Sequence, residues 1–439
     1  MRRHVLLTAW AFPPARTSGV HRAVGIANAF AAEGWEVTVL AAPERTFTDN
    51  AMVDRSLLAA VDEGVRVERV PFSAQAYDTD VAAWSPLRAR HPELWNGLRL
   101  ARERRVFPEP GFGLWRLELE RAAERVHSAR RVDLAIGTAN PHVDFVPASH
   151  LKRGHGVPAI MDYRDAWNVD VFSGTDRASA TPAERRWERE LMAEADRIWF
   201  VNEPIRRWHA ERHPESADRM RVVANGFDVT GGRTPAVPFR PPTDALTFGY
   251  VGTINFGQFP AEALFAGWEL ARERDPLIAR SRLVLRGHLG RTGVANEDLQ
   301  SLLDAAAAQG VSYEGPVAKA DLADVYAQFD ALVLALASGP GVTSGKVFEF
   351  AATGLPVVSV HDPASAATSI LRSSPVWTPT VSLSAEDVAA ALSEVGRRTL
   401  AQTPEDRAAA IAWGAQWERG KQLASAVADA TALVDERKT

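Results

Sequence analysis

Short apolar runs alternate with stretches of helical period along the whole chain. That alternation predicts parallel sheets built from βαβ units. In the first half the pattern predicts strands at 4–10, 35–40, 65–70, 133–137, 158–162, 197–201 and 221–223, with a helix over 20–32 after the first of them. In the second half it predicts strands at 246–251, 282–286, 311–314, 331–336 and 356–360. Between the halves lies GFDVTGGRTPAVPFRPP (226–242), so rich in glycine and proline that it reads as the best linker in the chain. The expected architecture is α/β, with two doubly wound Rossmann-like domains and a cleft between them. The expected boundaries are 1–228, a linker over 229–245, a second domain over 246–403, and a final alanine-rich helical segment over 404–439. That last segment carries Trp413 and Trp417 and is expected to pack across the domain junction.

Open α/β sheets bind ligands at the carboxyl ends of their strands, so the segments just beyond predicted strands hold the candidate chemistry. The most informative is TSGKVFEFAATGLPVV (343–358). Thr343 or Ser344 can cap a helix that begins at Gly345 and Lys346, and Gly354 can stop it. The helix is apolar nearly all round, through Val347, Phe348, Phe350, Ala351 and Ala352, and only Lys346 and Glu349 carry charge. Three residues apart, they share one face. A carboxylate in such surroundings needs a polar partner, either from elsewhere in the chain or from a ligand. One reading is an ordinary helix pair. The other is a binding site in which the helix start and Lys346 meet a diphosphate while Glu349 accepts hydrogen bonds from a ribose diol.

Three further segments follow first-half strands. WAFPPARTSGVHR (10–22) is a long loop into the helix at 20, where Gly19 would let a ligand approach backbone amides; Arg16 and Arg22 flank it. AIGTANPHVD (135–144) places Asn140 and His142 at a strand end, with structural and ligand-contact readings both open. MDYRDAW (161–167) clusters Asp162, Arg164 and Asp165, either as an internal salt bridge or as cleft residues. Asp78 and Asp80 have the spacing of a metal-binding pair but lie in a polar loop away from any strand end, and we read them as chance. The chain has no HExxH, Walker A or GxSxG motif, and no metal site is expected.

Composition narrows this picture. With 439 residues, 46% hydrophobic and 24% charged, the chain has the profile of a globular protein with a large core. A net charge of −5 does not suggest a nucleic-acid partner. The absence of cysteine removes disulfides and thiolate metal sites and fits a reducing compartment. The start, MRRHVLLTAWAFPP, imitates a signal peptide but lacks a small-residue cleavage site and reads better as a first strand. No stretch approaches the ~18 to 20 apolar residues of a membrane span. Of the 50 basic residues only five are lysine, so Lys346 is a residue this chain rarely uses. The region 86–131 carries eleven arginines against six glutamates, with aromatics interleaved. It reads either as a face for an anionic membrane or as a solvated arginine-rich helix pair, and the second reading is preferred at this stage.

Taken in order, FPPA and SGVHR near the start, MDYRDAW, VANGFD (223–228), YVGTI (250–254) and SGKVFEFAATGLPVV resemble the retaining glycosyltransferases of family 4, which have the GT-B fold. The resemblance covers nearly the whole chain. It implies that Gly19 lies against a donor diphosphate, that His142 contacts the donor sugar and that Glu349 binds the ribose. It extends the expected donor set to Thr253, Arg286, Gly341, Val342, Thr343, Ser344, Gly345 and Lys346. His142, Lys346 and Asp165 are the expected catalytic residues, with Arg16, Arg22, Asn140, Asp162 and Arg164 on the acceptor or cleft side. Two positions depart from the family pattern. Gly341 stands where a second acidic residue often addresses the sugar, and the run 251–259 lacks the usual phosphate-binding arginine and lysine. Arg286 or Arg291 could substitute, with Lys346 taking more of the load. The implied activity is transfer of a sugar from a nucleotide-sugar donor to a hydroxyl of a sugar, lipid-linked or small-molecule acceptor. Retention of configuration is expected, in surface polysaccharide or glycoconjugate synthesis. No cofactor or metal is expected, and the expected location is cytoplasmic, with peripheral contact to the inner membrane face as a further reading. A GT-B sugar-nucleotide epimerase and a non-catalytic sugar-nucleotide-binding protein are the alternatives.

Overall fold

The computed structural model describes residues 2–48, 52–72, 81–229, 232–254, 259–290, 297–318, 321–336 and 339–437. Asp78, Asp80 and Arg291 lie outside them. The chain forms two compact units, one comprising Met1–Asp170, Thr175–Val223 and Leu423–Thr439, the other Val171–Gly174 and Ala224–Gln422.

The first unit is built on strands β1 (His4–Thr8), β2 (Glu36–Ala41), β3 (Val65–Arg69), β4 (Leu134–Thr138), β5 (Ala159–Tyr163), β8 (Arg197–Phe200) and β9 (Met220–Val222). A short antiparallel hairpin, β6 (Val169–Asp170) and β7 (Thr175–Asp176), stands outside that sheet. The sheet order is β3-β2-β1-β4-β5-β8-β9, with every pairing parallel. Every residue of β1, β4 and β5 is buried, as helices on both faces require. The chain order reverses between β1 and β4, and the loops leaving those two strands are the ones that carry Gly19 and His142.

The second unit repeats the plan with β10 (Thr247–Val251), β11 (Arg282–Arg286), β12 (Val311–Tyr313), β13 (Ala331–Ala335), β14 (Val357–Val360) and β15 (Trp377–Thr378). Its order is β12-β11-β10-β13-β14-β15, again all parallel. Phe248, Leu283, Leu285, Trp268 and Leu392 fill its core. The chain has the α/β architecture expected from the pattern, with two Rossmann-like sheets. Every predicted strand is present within two residues of its expected ends. The three strands that the pattern did not predict, β6, β7 and β15, are two residues long, too short to carry any periodicity.

Two segments carry detail that the pattern did not show. The proline-rich stretch before β10 is packed as well as connecting. Val237 is buried in the second unit's core, its N–H donates to the Thr353 carbonyl at 2.9 Å, and the buried Arg407 donates to its carbonyl at 3.1 Å. The C-terminal segment is two helices, Pro404–Gly414 and Arg419–Glu436, separated by a 3₁₀ turn at Ala415–Trp417. The break has a visible cause. The Trp417 carbonyl accepts from Phe227 N–H at 2.9 Å and Arg419 N–H donates to the Phe227 carbonyl at 2.8 Å, which draws this backbone out of the helix and into a strand-like bridge.

Candidate functional site

The helix Gly345–Thr353 starts and stops where the residues dictate. Ser344 caps it, its hydroxyl accepting from Lys346 N–H at 3.3 Å, and Gly354 ends it in the left-handed conformation with φ of +76°. Val347, Phe348, Phe350, Ala351 and Ala352 are buried, and Phe348 packs against Trp417 at 5.4 Å between ring centroids. The helix is thereby fixed on all sides except that of Lys346 and Glu349.

Lys346 does not turn to Glu349. Its side chain runs to β10, where Nζ donates to the Tyr250 hydroxyl at 2.5 Å and lies 4.6 Å from that ring's centroid. The Tyr250 hydroxyl in turn donates to the Thr253 carbonyl at 2.8 Å. Gly252, with φ of +150°, makes this path available: a Cβ there would stand 1.7 Å from Lys346 Cε. Burial drives the Lys346 ammonium down to a pKa of about 8, with Glu349 opposing the shift. This is a half-buried, partly desolvated cation whose hydrogen-bond partner is neutral, placed in the first turn of a helix where the macrodipole is positive. Both features favour an arriving anion.

Glu349, one turn on, accepts from the Tyr326 hydroxyl at 3.1 Å through Oε2. Burial raises the pKa of that phenol well above its ordinary value and the adjacent carboxylate adds to the effect, so the hydroxyl remains a donor. At the end of β11, Arg286 Nη1 donates to Glu314 at 3.0 Å while its Nε finds no partner among the described residues. Thr253 and Gly345 are exposed, and Val342, Thr343 and Ser344 are half-buried beside the helix start. Gly341 is not open to a ligand. It is buried, its N–H donates to the Val171 carbonyl at 2.9 Å, and a Cβ there would lie 3.1 Å from Val171 Cα. The departure at this position thus has a packing counterpart: backbone occupies the place of an acidic side chain.

In the first unit the expected residues separate into two groups. Arg22 and Asp162 face each other in the core, at 2% and 0% exposure. Arg22 Nε and Nη2 donate to the carboxylate at 2.6–3.0 Å, Nη1 donates to the Val223 carbonyl at 3.0 Å, and Thr138 donates its hydroxyl to Asp162 at 2.6 Å. The cleft role expected for this pair is corrected: each consumes the other's charge, the internal salt bridge of the alternative reading. Arg16 is exposed, with its N–H on the Met52 carbonyl at 2.8 Å.

The second group comes together around Arg164. Its Nε donates to the Ala139 carbonyl at 3.2 Å, Nη1 donates to the Ser18 hydroxyl at 3.3 Å, and Nη2 pairs with Asp165. Nη1 also stands 3.1 Å from where a Cβ on Gly19 would be. One guanidinium therefore ties the loop of Gly19 to the strand end preceding the exposed Asn140. His142 is buried. Its Nδ1 meets Glu109 at 3.1 Å, Nε2 meets the Asp165 carbonyl at 3.2 Å, and its ring stacks on Trp167 at 4.7 Å. Both ring nitrogens are thus occupied by acceptors of the protein itself. Among the described residues, no group of three or more histidines, aspartates or glutamates is arranged to hold a metal ion.

Sequence reasoning missed Tyr250, Tyr326 and Glu109. The signal for the two tyrosines was rarity, since the chain has only five, as few as its lysines; Glu109 had no local signal. The four that the structure describes, at 163, 250, 313 and 326, all use their hydroxyls as hydrogen-bond donors, those of Tyr250 and Tyr326 beside Lys346 and Glu349.

Comparison with known proteins bears on the fold. Residues 72–226 match the glycosyl transferase 4-like domain family. No curated protein matches the chain in sequence. Among solved structures, a glycosyltransferase from Rickettsia africae ESF-5 superposes with a TM-score of 0.66 at 10% identity, covering 97% of each chain. Anabaena HepE in complex with UDP gives a TM-score of 0.62 at 13% identity, over 98% of this chain and 100% of that one. Sucrose-phosphate synthase from Thermosynechococcus elongatus gives 0.55 at 15% identity, over 100% and 98%. At such identities the likeness is one of fold. The fold is that of the GT-B glycosyltransferases, as the motifs had implied.

Proposed function

We propose that this protein is a glycosyltransferase that moves a sugar from a nucleoside diphosphate sugar to an acceptor hydroxyl. The observation that carries the reading is Lys346, a half-buried ammonium with a neutral hydrogen-bond partner in the first turn of a helix whose next charged residue is Glu349. Amides and ammonium take the diphosphate, and Glu349 takes the two ribose hydroxyls. A fold shared with a UDP complex supports the choice of a uridine donor as the first to test.

In the transfer, the bond from the anomeric carbon to the diphosphate oxygen breaks and a bond to the acceptor oxygen forms. The acceptor attacks from the face that the diphosphate leaves and its hydroxyl proton passes to the departing phosphate, so no enzymic nucleophile is needed and configuration is retained. The protein's contribution is to stabilise charge gathering on the leaving diphosphate. In the first unit, Arg164 ties the Ser18 hydroxyl, the Ala139 carbonyl and Asp165 together, and we assign Arg164 and the neighbouring Asn140 to the acceptor side and Gly19 to the donor diphosphate.

Titration calorimetry with UDP tests the reading. Glu349→Ala removes two charge-assisted hydrogen bonds, worth roughly 1.5–3 kcal/mol each, and should weaken UDP binding by about 10² to 10⁴. Glu349→Gln keeps an acceptor for Tyr326 and guards against a merely unfolded variant. UDP affinity unchanged in both would overturn the assignment, as would failure of UDP and every other nucleoside diphosphate to bind the native protein.

A further inference from the structure

The arginine-rich region divides into two parts of opposite character. In the helix Trp115–Ala129 the arginines are paired: Arg116 with Glu120 at 2.8 Å, Arg121 with Glu118 at 2.6 Å and Arg125 with Glu68 at 3.0 Å. That half is the solvated helix expected of it. The preceding helices, Pro86–Arg90 and Pro92–Val106, differ. Arg90, Arg102, Arg104 and Arg105 are all exposed, and none makes an ion pair with a described residue. Residues 81–106 contain six arginines and two glutamates, a charge of +4 in a chain whose net charge is −5.

The same helices expose their leucines. Leu94 and Leu98 are 56% and 57% accessible, and Leu87 and Val81 are also exposed. Leu94, Leu98, Ala101, Arg102 and Arg105 recur at the spacing of one helical face, and all five are exposed. The opposite face is fixed. Arg88 lies between the rings of Trp84 and Trp95, at 4.0 and 4.6 Å. Arg99 pairs with the buried Glu103 at 2.6 Å, and Glu103 also accepts from Gly111 N–H at 2.8 Å. The outward face is therefore a rigid surface of leucines rimmed by unpaired guanidinium groups, with few acids to oppose them.

We propose that the helix pair Pro86–Val106 docks this protein onto an anionic lipid bilayer. Leucines at this spacing enter the boundary between headgroups and acyl chains, while arginines bind lipid phosphates, often through two parallel bonds. A soluble acidic protein would satisfy the arginines but would leave no reason for four scattered aliphatic side chains to stand in water beside them. The docking helix also leads directly into the first-unit constellation. Phe107, next after its end, stacks on Trp167 at 5.4 Å, and Glu109 holds the ring and the backbone N–H of His142. A bilayer held on this face would bring lipid-borne acceptors to the side of the unit that carries Arg164 and His142.

Co-sedimentation of the purified full chain with vesicles tests this without any sugar donor. The vesicles are phosphatidylcholine alone, or phosphatidylcholine with about a third phosphatidylglycerol. Binding is expected to the anionic vesicles only, and to fall with added salt. Arg102→Glu with Arg105→Glu should reduce the partition coefficient by about thirtyfold or more, since each basic residue near an anionic surface contributes about a factor of five. Leu94→Ser with Leu98→Ser should reduce it with little change in salt dependence. Arg121→Glu, on the paired helix, should leave it unchanged. No binding to anionic vesicles, or binding indifferent to both double variants, would overturn the proposal. So would loss of a lipid-independent dimer in the leucine variant, which would assign the face to a second copy. An unchanged melting temperature shows that each variant is folded, and a test that uses no nucleotide separates this proposal from the proposed activity.

Discussion

Arg22 in the first unit and Lys346 in the second are both cations drawn out of water, and they are satisfied in opposite ways. Arg22 has a full complement of acceptors: both oxygens of Asp162 and the Val223 carbonyl. Nothing further can bind it without taking the core apart. Lys346 has the hydroxyl and ring of Tyr250, neither of which carries charge. Its depressed pKa records the cost of that deficit. Burial and charge therefore do not distinguish a structural cation from a binding one. On the proposed reading, what distinguishes them is whether a protein group at hydrogen-bond distance supplies the counter-charge or a ligand does.

The sharpest way to break the comparison is to remove one partner from each. Asp162→Ala strands a guanidinium in the core. Leaving a buried charge without its partner costs about 3–5 kcal/mol, which in a unit of this size lowers the melting temperature by roughly 10 °C. Differential scanning calorimetry checks this, and a loss under about 1 kcal/mol would mean that Arg22 finds water or another acceptor. Lys346→Met should behave in the reverse manner. Removing a desolvated ammonium whose hydrogen-bond partner is neutral relieves a cost that the nearby Glu349 charge only partly offsets, so stability should hold or rise slightly. UDP affinity, measured by calorimetry, should fall about tenfold to a hundredfold as one charge-assisted contact is lost. A destabilised Lys346→Met that binds UDP normally would reverse the two roles.

The contrast also explains what could be seen in the sequence. Strands announced themselves because each is a contiguous apolar run, and the helix at 345 because its cap, its two charges and its stop all lie within eleven residues. Lys346 and Glu349 were legible for the same reason. Arg22 and Asp162 stand 140 residues apart, and no local pattern shows that one closes on the other. Their types and positions after predicted strands suited a ligand equally well. Tyr250 and Tyr326 were hidden differently. Each sits in an apolar stretch whose periodicity is complete without its hydroxyl, so the pattern absorbs the ring and conceals the polar end. The unpaired arginines of 86–106 were visible as a charge excess, but which of them had partners depended on helix packing.

The smallest expected effect probes the link between Lys346 and Tyr250. In the unliganded protein the lysine titrates near a pKa of about 8. A diphosphate binds the charged form, so affinity should be full below that value and should fall as the pH rises through it, by up to about tenfold per unit. Binding near pH 8 should then take up protons, which calorimetry in buffers of different ionisation enthalpy can read. Tyr250→Phe keeps the ring and its packing but removes the oxygen that accepts from Nζ. A hydrogen bond to the charged form favours that form, so its loss should shift the midpoint of the pH profile below about 8. At pH 7 the change in UDP affinity should be threefold or less, because most of the lysine is still protonated there. The displaced midpoint is therefore the telling readout. A profile that stays where it was would mean that the ring face alone holds the ammonium, and that the hydroxyl serves the Thr253 carbonyl instead.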